Sequence, residues 1–153
     1  MTLAELIKQT HFASPAQEAH LNVLATASWL SSLMTETLAP YGITPAQYNV
    51  LRILRGHAPE PYACSEIAQR LLDRTPDVTR LLVRLERQGL ITRTRAAHDR
   101  RVVLVHITER GLELLAQLDE PVRERVDHTG RHLTDDELSM LSALLERLRT
   151  DQT

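Results

Sequence analysis

The chain has 153 residues, 42% of them hydrophobic and 25% charged, with a formal net charge of −2. That length suits one domain able to bury about 68–70 % of its unfolded surface, and the composition excludes a disordered tail. No apolar run approaches the roughly 18–20 residues of a membrane-spanning helix, and a single cysteine excludes an intrachain disulfide.

Capping residues mark the helix starts. Thr2 and Glu5 fit a capping box ahead of a short first helix. Ser14-Pro15-Ala16-Gln17 and Thr44-Pro45-Ala46-Gln47 each set a hydroxyl cap, a proline at the first helical position and a glutamine at the third. They predict helices over 15–38 and 45–55. Pro59 and Pro61 then force a loop. Ser65-Glu66 opens a short helix over 65–72. Thr75-Pro76-Asp77 caps another over 76–88, with the Asp77 carboxylate at the positive end of the helix dipole. After Gly89 the period changes. The β-branched runs 91–95 and 102–107 flank a polar turn, Ala96 to Arg100, and read as a hairpin. A helix follows from Thr108, interrupted or restarted at Pro121, and the box Thr134-Asp135-Asp136-Glu137 begins a last helix over 135–149.

The small net charge conceals a division. Residues 65–110 hold ten Arg against six acidic residues, a balance of +4, while the remainder sums to −6. One basic segment in an acidic chain points to an anionic partner that touches that segment. Lys8 is the only lysine, and the arginine fork suits phosphates and guanine edges. Five aromatic residues are few for a protein that stacks the bases of single strands, so duplex DNA is the expected partner.

In helix 76–88, Val78, Leu81, Leu82 and Leu85 form one apolar stripe. Thr75, Asp77, Thr79, Arg80, Val83, Arg84 and Arg87 lie elsewhere on its surface, and the hydroxyls and arginines among them donate to phosphates and base edges. A short turn at Asp73-Arg74 makes the pair 65–72 and 76–88 a helix-turn-helix, whose second helix enters the major groove. The hairpin adds Arg93, Arg95, Arg100 and Arg101, placed to straddle a backbone and probe the minor groove. The other reading, a winged helix that binds protein and not DNA, calls for apolar groups on the exposed face of helix 76–88, where arginine and threonine stand. No nucleophile–base pair, phosphate loop or metal cluster argues for an enzyme.

The sequence resembles the MarR family of winged helix-turn-helix transcriptional regulators over nearly its whole length. The resemblance rests on residues 42–54 (GITPAQYNVLRIL), 65–71 (SEIAQRL) and 77–91 (DVTRLLVRLERQGLI). It rests most specifically on Asp99-Arg100-Arg101 followed by Ile107-Thr108-Glu109-Arg110-Gly111. It implies a mainly α fold with a small β-hairpin wing, the chain forming a single domain over 1–153. A winged helix-turn-helix over 43–110 would be flanked by dimerisation helices in 1–42 and 111–153. It further implies a homodimer on a palindromic operator, usually as a repressor, released by a small phenolic or aromatic anion. Carried onto this chain, Thr79 and Arg80 fall where the recognition helix meets DNA, Arg101 where the wing reaches the minor groove, and Asp99 where it would brace Arg101 or Arg84.

Leu138, Leu141, Leu145 and Leu148 repeat at spacings of 3, 4 and 3 with Leu144 widening the seam, and the helix 15–38 carries Leu24, Ala27, Met34 and Leu38; both stripes suit packing against a second copy. Trp29, Tyr41, Tyr48 and Arg52 are candidates for an effector pocket, since an aromatic anion needs an apolar wall and a cation. Cys64 reads as a small packing residue at a helix entry and not as a redox switch. His128 and His132, one turn apart without a third ligand, read as surface or interface residues and not as a metal site. No cofactor is expected. The opening MTLAELIKQT lacks a basic region followed by an apolar stretch and a cleavage site, so a cytoplasmic location is expected.

Overall fold

The structure, a computed structural model, describes residues 2–9, 11–72, 77–97 and 99–150. Its helices begin where side-chain oxygens meet the free N–H groups of a first turn. Thr2 accepts from Glu5 N and starts α1 (Leu3–Ile7), while Ser14 accepts from Gln17 N and starts α2 (Pro15–Leu38). A 3-10 turn, Ala39–Tyr41, leads through Gly42, whose φ of 72° needs a residue without Cβ, into α3 (Pro45–Arg55). There Thr44 and Gln47 complete a reciprocal box, with bonds of 3.2 and 2.9 Å.

A two-residue strand, β1 (Tyr62–Ala63), precedes α4 (Cys64–Arg70). The expected cap at Ser65 is corrected here. Ala63 holds the cap position, and Glu66 reaches back to its N–H at 2.8 Å, so Cys64 lies inside the helix. The Asp73–Arg74 turn and the Thr75-Pro76 cap lie outside the described residues; Asp77 is the cap observed for α5 (Val78–Arg87), accepting from Arg80 N at 3.2 Å. The hairpin forms from β2 (Ile91–Arg95) and β3 (Val103–Ile107), and β1 adds to the far side of β3, giving an antiparallel sheet in the order β1-β3-β2.

The helix α6 (Glu109–Gly130) runs through Pro121 without the expected break. A proline inside a helix costs one backbone bond and some strain; here the fully buried Leu115 and Leu118 before it, and Val122 just after it, pack on the core. The last helix is α7 (Asp135–Leu148), boxed by Thr134 and Glu137. One apolar core joins Leu38 of α2, Leu51 and Leu54 of α3, Ile67 of α4, Leu82 and Leu85 of α5, Ile91 and Val105 of the sheet, and Leu115 and Leu118 of α6. The sequence α3, β1, α4, α5, β2, β3 is a winged helix-turn-helix set against α2 and α6. No residue of α7 is buried, and among the described residues no helix is long and apolar enough to cross a membrane.

Candidate nucleic-acid interface

The apolar stripe of α5 decides which of its residues face outward. Leu81, Leu82 and Leu85 are buried in the core, with Val78 half-buried beside them. At about 100° per residue, Arg80, Arg84 and Arg87 then fall within roughly 60° of one another on the opposite side. All three are exposed, as is Thr79 beside them. The Arg80 side chain is 81% exposed, with the Asp77 carboxylate 4.0 Å away. Among the described residues, Arg84 and Arg87 make no ion pair. The start of α5 is held by Asp77, and its end by an amide relay that begins at the buried Gln47: its Nε2 donates to Gln88 Oε1 at 3.0 Å, and Gln88 Nε2 donates to the Gly42 carbonyl at 2.9 Å.

The hairpin's four arginines divide by position. Arg100 and Arg101 are exposed at the tip, and among the described residues neither guanidinium has a carboxylate partner. Asp99 braces the turn by accepting from the Arg101 backbone N at 2.9 Å. It thus holds the chain of Arg101 and neither guanidinium expected of it. Arg95 Nη1 donates to the Arg100 carbonyl at 2.9 Å and closes the hairpin on itself. Arg93, expected among the cations that straddle the backbone, is committed to an ion pair with Glu86. Its Nη2 and Nε lie 2.6 and 2.9 Å from Glu86 Oε2, with only 27% of its side chain exposed. Strand parity is the reason. Arg93 shares the sheet face of the buried Ile91 and pairs with the buried Val105, whereas Thr92 and Thr94 face the other way.

The bonds from Arg93 hold the Glu86 carboxyl below the ordinary glutamate range, against the opposing effect of its burial. A carboxylate with a lowered folded pKa adds stability above its unfolded value and loses it as the pH falls through the folded one. The melting-temperature advantage of wild type over Glu86→Gln is therefore expected to be full near neutrality and to shrink below about pH 4.5, as followed by circular dichroism. A constant difference across that range would separate Glu86 from acid stability.

The four effector-pocket candidates do not come together. Tyr41 helps to wall a cavity of about 360 Å³ with Gln88, Leu90, Arg110 and Leu114, and neither Trp29, Tyr48 nor Arg52 is in that wall. Trp29 stands half exposed on α2, while Tyr48 is buried, with the Arg52 guanidinium 5.9 Å above its ring. Burial pushes the Cys64 thiol up, opposed by the charge of Arg93. Arg131 donates to His132 at 3.0 Å and approaches His128 at 3.5 Å, and among the described residues no three His, Cys, Asp or Glu side chains converge to hold a metal.

An outward row of arginines on a capped helix, behind a shorter helix and followed by an arginine-tipped hairpin, defines a DNA-binding protein of the winged helix-turn-helix class. Comparison with known proteins narrows the class. The MarR family profile matches residues 41–102. A MarR transcription factor of Planctomyces limnophilus, known from its crystal structure, is 41% identical over 89% of this chain and 98% of its own, with a TM-score of 0.70. A cysteine-to-serine mutant of MarR from E. coli, crystallised with operator DNA, is 30% identical over 82% of this chain and 89% of its own, with a TM-score of 0.74. The transcriptional regulator FarR of Neisseria gonorrhoeae is 28% identical over 138 residues, 88% of this chain and 93% of that protein. The chain belongs to the MarR family and is a DNA-binding transcriptional regulator.

Proposed function

We propose that this regulator acts as a homodimer on a palindromic operator, represses transcription there, and is released by a small phenolic or aromatic anion. Residues 43–110 are the DNA-binding unit in this reading, and 1–42 with 111–153 the dimerising one. Thr79, Arg80, Arg84 and Arg87 face the major groove, and Arg100 and Arg101 reach the minor groove or its phosphates. Asp77 caps the first turn of the same helix, Thr75 is a further candidate contact from the sequence that lies outside the described residues, and Arg95 supports the tip. The observation that carries the reading is the set of exposed guanidinium groups of Arg84, Arg87, Arg100 and Arg101, on two neighbouring elements and without a carboxylate partner among the described residues. The operator complex of the E. coli relative supports DNA as the partner. The protein-binding alternative is disfavoured by the same face, which offers no large apolar group for a partner to cover.

The test is titration of a duplex from the chain's own upstream region, followed by fluorescence anisotropy at several salt concentrations. With roughly four phosphates neutralised by each protomer, log affinity is expected to fall against log salt with a slope of about −7. Affinity independent of salt would overturn the reading.

Dimerisation is supported by α7. Leu138, Leu141, Leu144 and Leu148 are 36–61% exposed on a helix that buries nothing in its own protomer, with Leu145 half-buried among them. Leu141→Glu would bring two unpaired carboxylates into such an interface, at several kcal/mol each. We expect the variant to sediment as a monomer at micromolar concentration and to lose operator binding while keeping its helical circular dichroism. A dimer of unchanged mass would remove α7 from the interface. For the effector, the Tyr41 cavity supplies an aromatic wall and the Arg110 cation.

A further inference from the structure

Glu86 and Arg93 meet through three hydrogen bonds. Both guanidinium bonds go to Oε2, and Glu86 Oε1 accepts the Arg93 backbone N–H at 3.1 Å. One carboxylate near the end of α5 thus takes three donors from the middle of β2. Recognition helix and wing also share the apolar packing of Leu85, Leu90 and Ile91 and, at the base of the hairpin, the bonds from Thr108 to the Gly89 and Leu90 carbonyls. Apolar contact is non-directional, whereas a carboxylate that receives a guanidinium and a backbone N–H fixes orientation. The link extends to the tip, because Arg95, on the same sheet face as Arg93, holds the Arg100 carbonyl. Neutralised by Glu86, Arg93 adds little to the field that attracts phosphate.

We propose that Glu86 and Arg93 are positioning residues for operator recognition, a clamp that sets the angle between α5 and the wing. It makes the two elements one rigid reading head. The proposal rests on the reading above, in which both elements touch the operator. The lever explains why the angle matters. Three extended residues and the turn beyond them carry the hairpin tip roughly 15 Å from Arg93. A turn of about 10° there moves the tip by roughly 2.5 Å, well beyond the tolerance of a hydrogen bond.

The experiment measures affinity for operator and for random duplex across a salt series, using full-length wild type, Glu86→Gln, Arg93→Met and the double variant, each melted beforehand. Each single variant is expected to lower the operator-to-random affinity ratio about tenfold, and the double variant to be no worse than the poorer single one. The salt slope on random DNA is expected to stay at the wild-type value for Arg93→Met. Where Arg93→Met does not fold, Arg93→Lys serves, since it keeps the charge, loses the two-point bond and should show the same fall in ratio. Two results overturn the clamp. One is a salt slope reduced by about two for the dimer with operator and random DNA weakened alike, which makes Arg93 a phosphate contact. The other is an unchanged ratio in folded variants, which makes the pair a stabilising contact alone. A wild type that does not prefer its operator refutes the underlying reading instead, so the two failures are distinguishable.

Discussion

Replacing Gly111 with alanine is expected to lower the melting temperature by about ten degrees. A Cβ at this position would stand 2.4 Å from the Leu90 carbonyl oxygen and 2.8 Å from Ile107 Cγ1. Neither neighbour yields easily. The Leu90 carbonyl accepts the Thr108 N–H at 3.1 Å, and the Thr108 hydroxyl donates to the Gly89 carbonyl at 2.7 Å, so the first turn of α6 is tied to the exit from α5. Overpacking against fixed backbone costs about 3 kcal/mol, and each kcal/mol shifts the midpoint of a chain this size by roughly 2–4 °C. Gly130→Ala is the control. Its Cβ would meet two Leu138 methyl carbons at 3.5 Å, ordinary contact inside a helix, and a gain of about 0.5–1 kcal/mol is expected. Thermal melts by circular dichroism decide both, and an unchanged midpoint for Gly111→Ala would mean that α6 and Leu90 can part freely.

Arg84→Ala should leave the melting temperature within a degree or two of wild type and remove most operator affinity. Its guanidinium is exposed, so folding loses little. In the proposed dimer an arginine contact to a base edge, worth about 1–3 kcal/mol, would be lost twice. The expected fall in affinity is therefore about 30- to 10⁴-fold. Arg80→Ala should fall in the same range, and the pair together should leave only salt-sensitive binding that does not distinguish operator from random duplex. Anisotropy titration measures each. A loss below about threefold for both would take α5 out of the groove.

Which features were legible in the sequence follows from how local their causes are. The boxes at Thr2, Thr44 and Thr134 join a hydroxyl to an N–H three residues on, so the motif contains the whole interaction, and each helix starts where its box says. The start of α4 was misplaced because Ala63 has no side-chain acceptor, and Glu66 alone makes the return bond. The strand β1 has two residues, too few to show alternation, and exists through its partner Val105. Pro121 marks a break by local rules, yet burial on both sides of it carries α6 onward. The pairing of Arg93 follows from parity and not from charge, since the buried Ile91 two residues earlier sets Arg93 on the inner face, beside Glu86. For the pocket candidates the sequence carries no local cause, since Trp29, Tyr41 and Tyr48 meet or miss one another only through tertiary packing.

The unbroken course of α6 through Pro121 has a mechanical meaning. At 1.5 Å per residue its 22 residues form a rod about 33 Å long, seated on Leu90 at one end and reaching toward α7 at the other. A tilt of only about 6° at the far end carries the near end through roughly 3.4 Å, the rise of one nucleotide along a strand of duplex. In the proposed dimer, an event at the junction of the two subunits would need to deform nothing near the groove to put the pair of half-sites out of register by a full step.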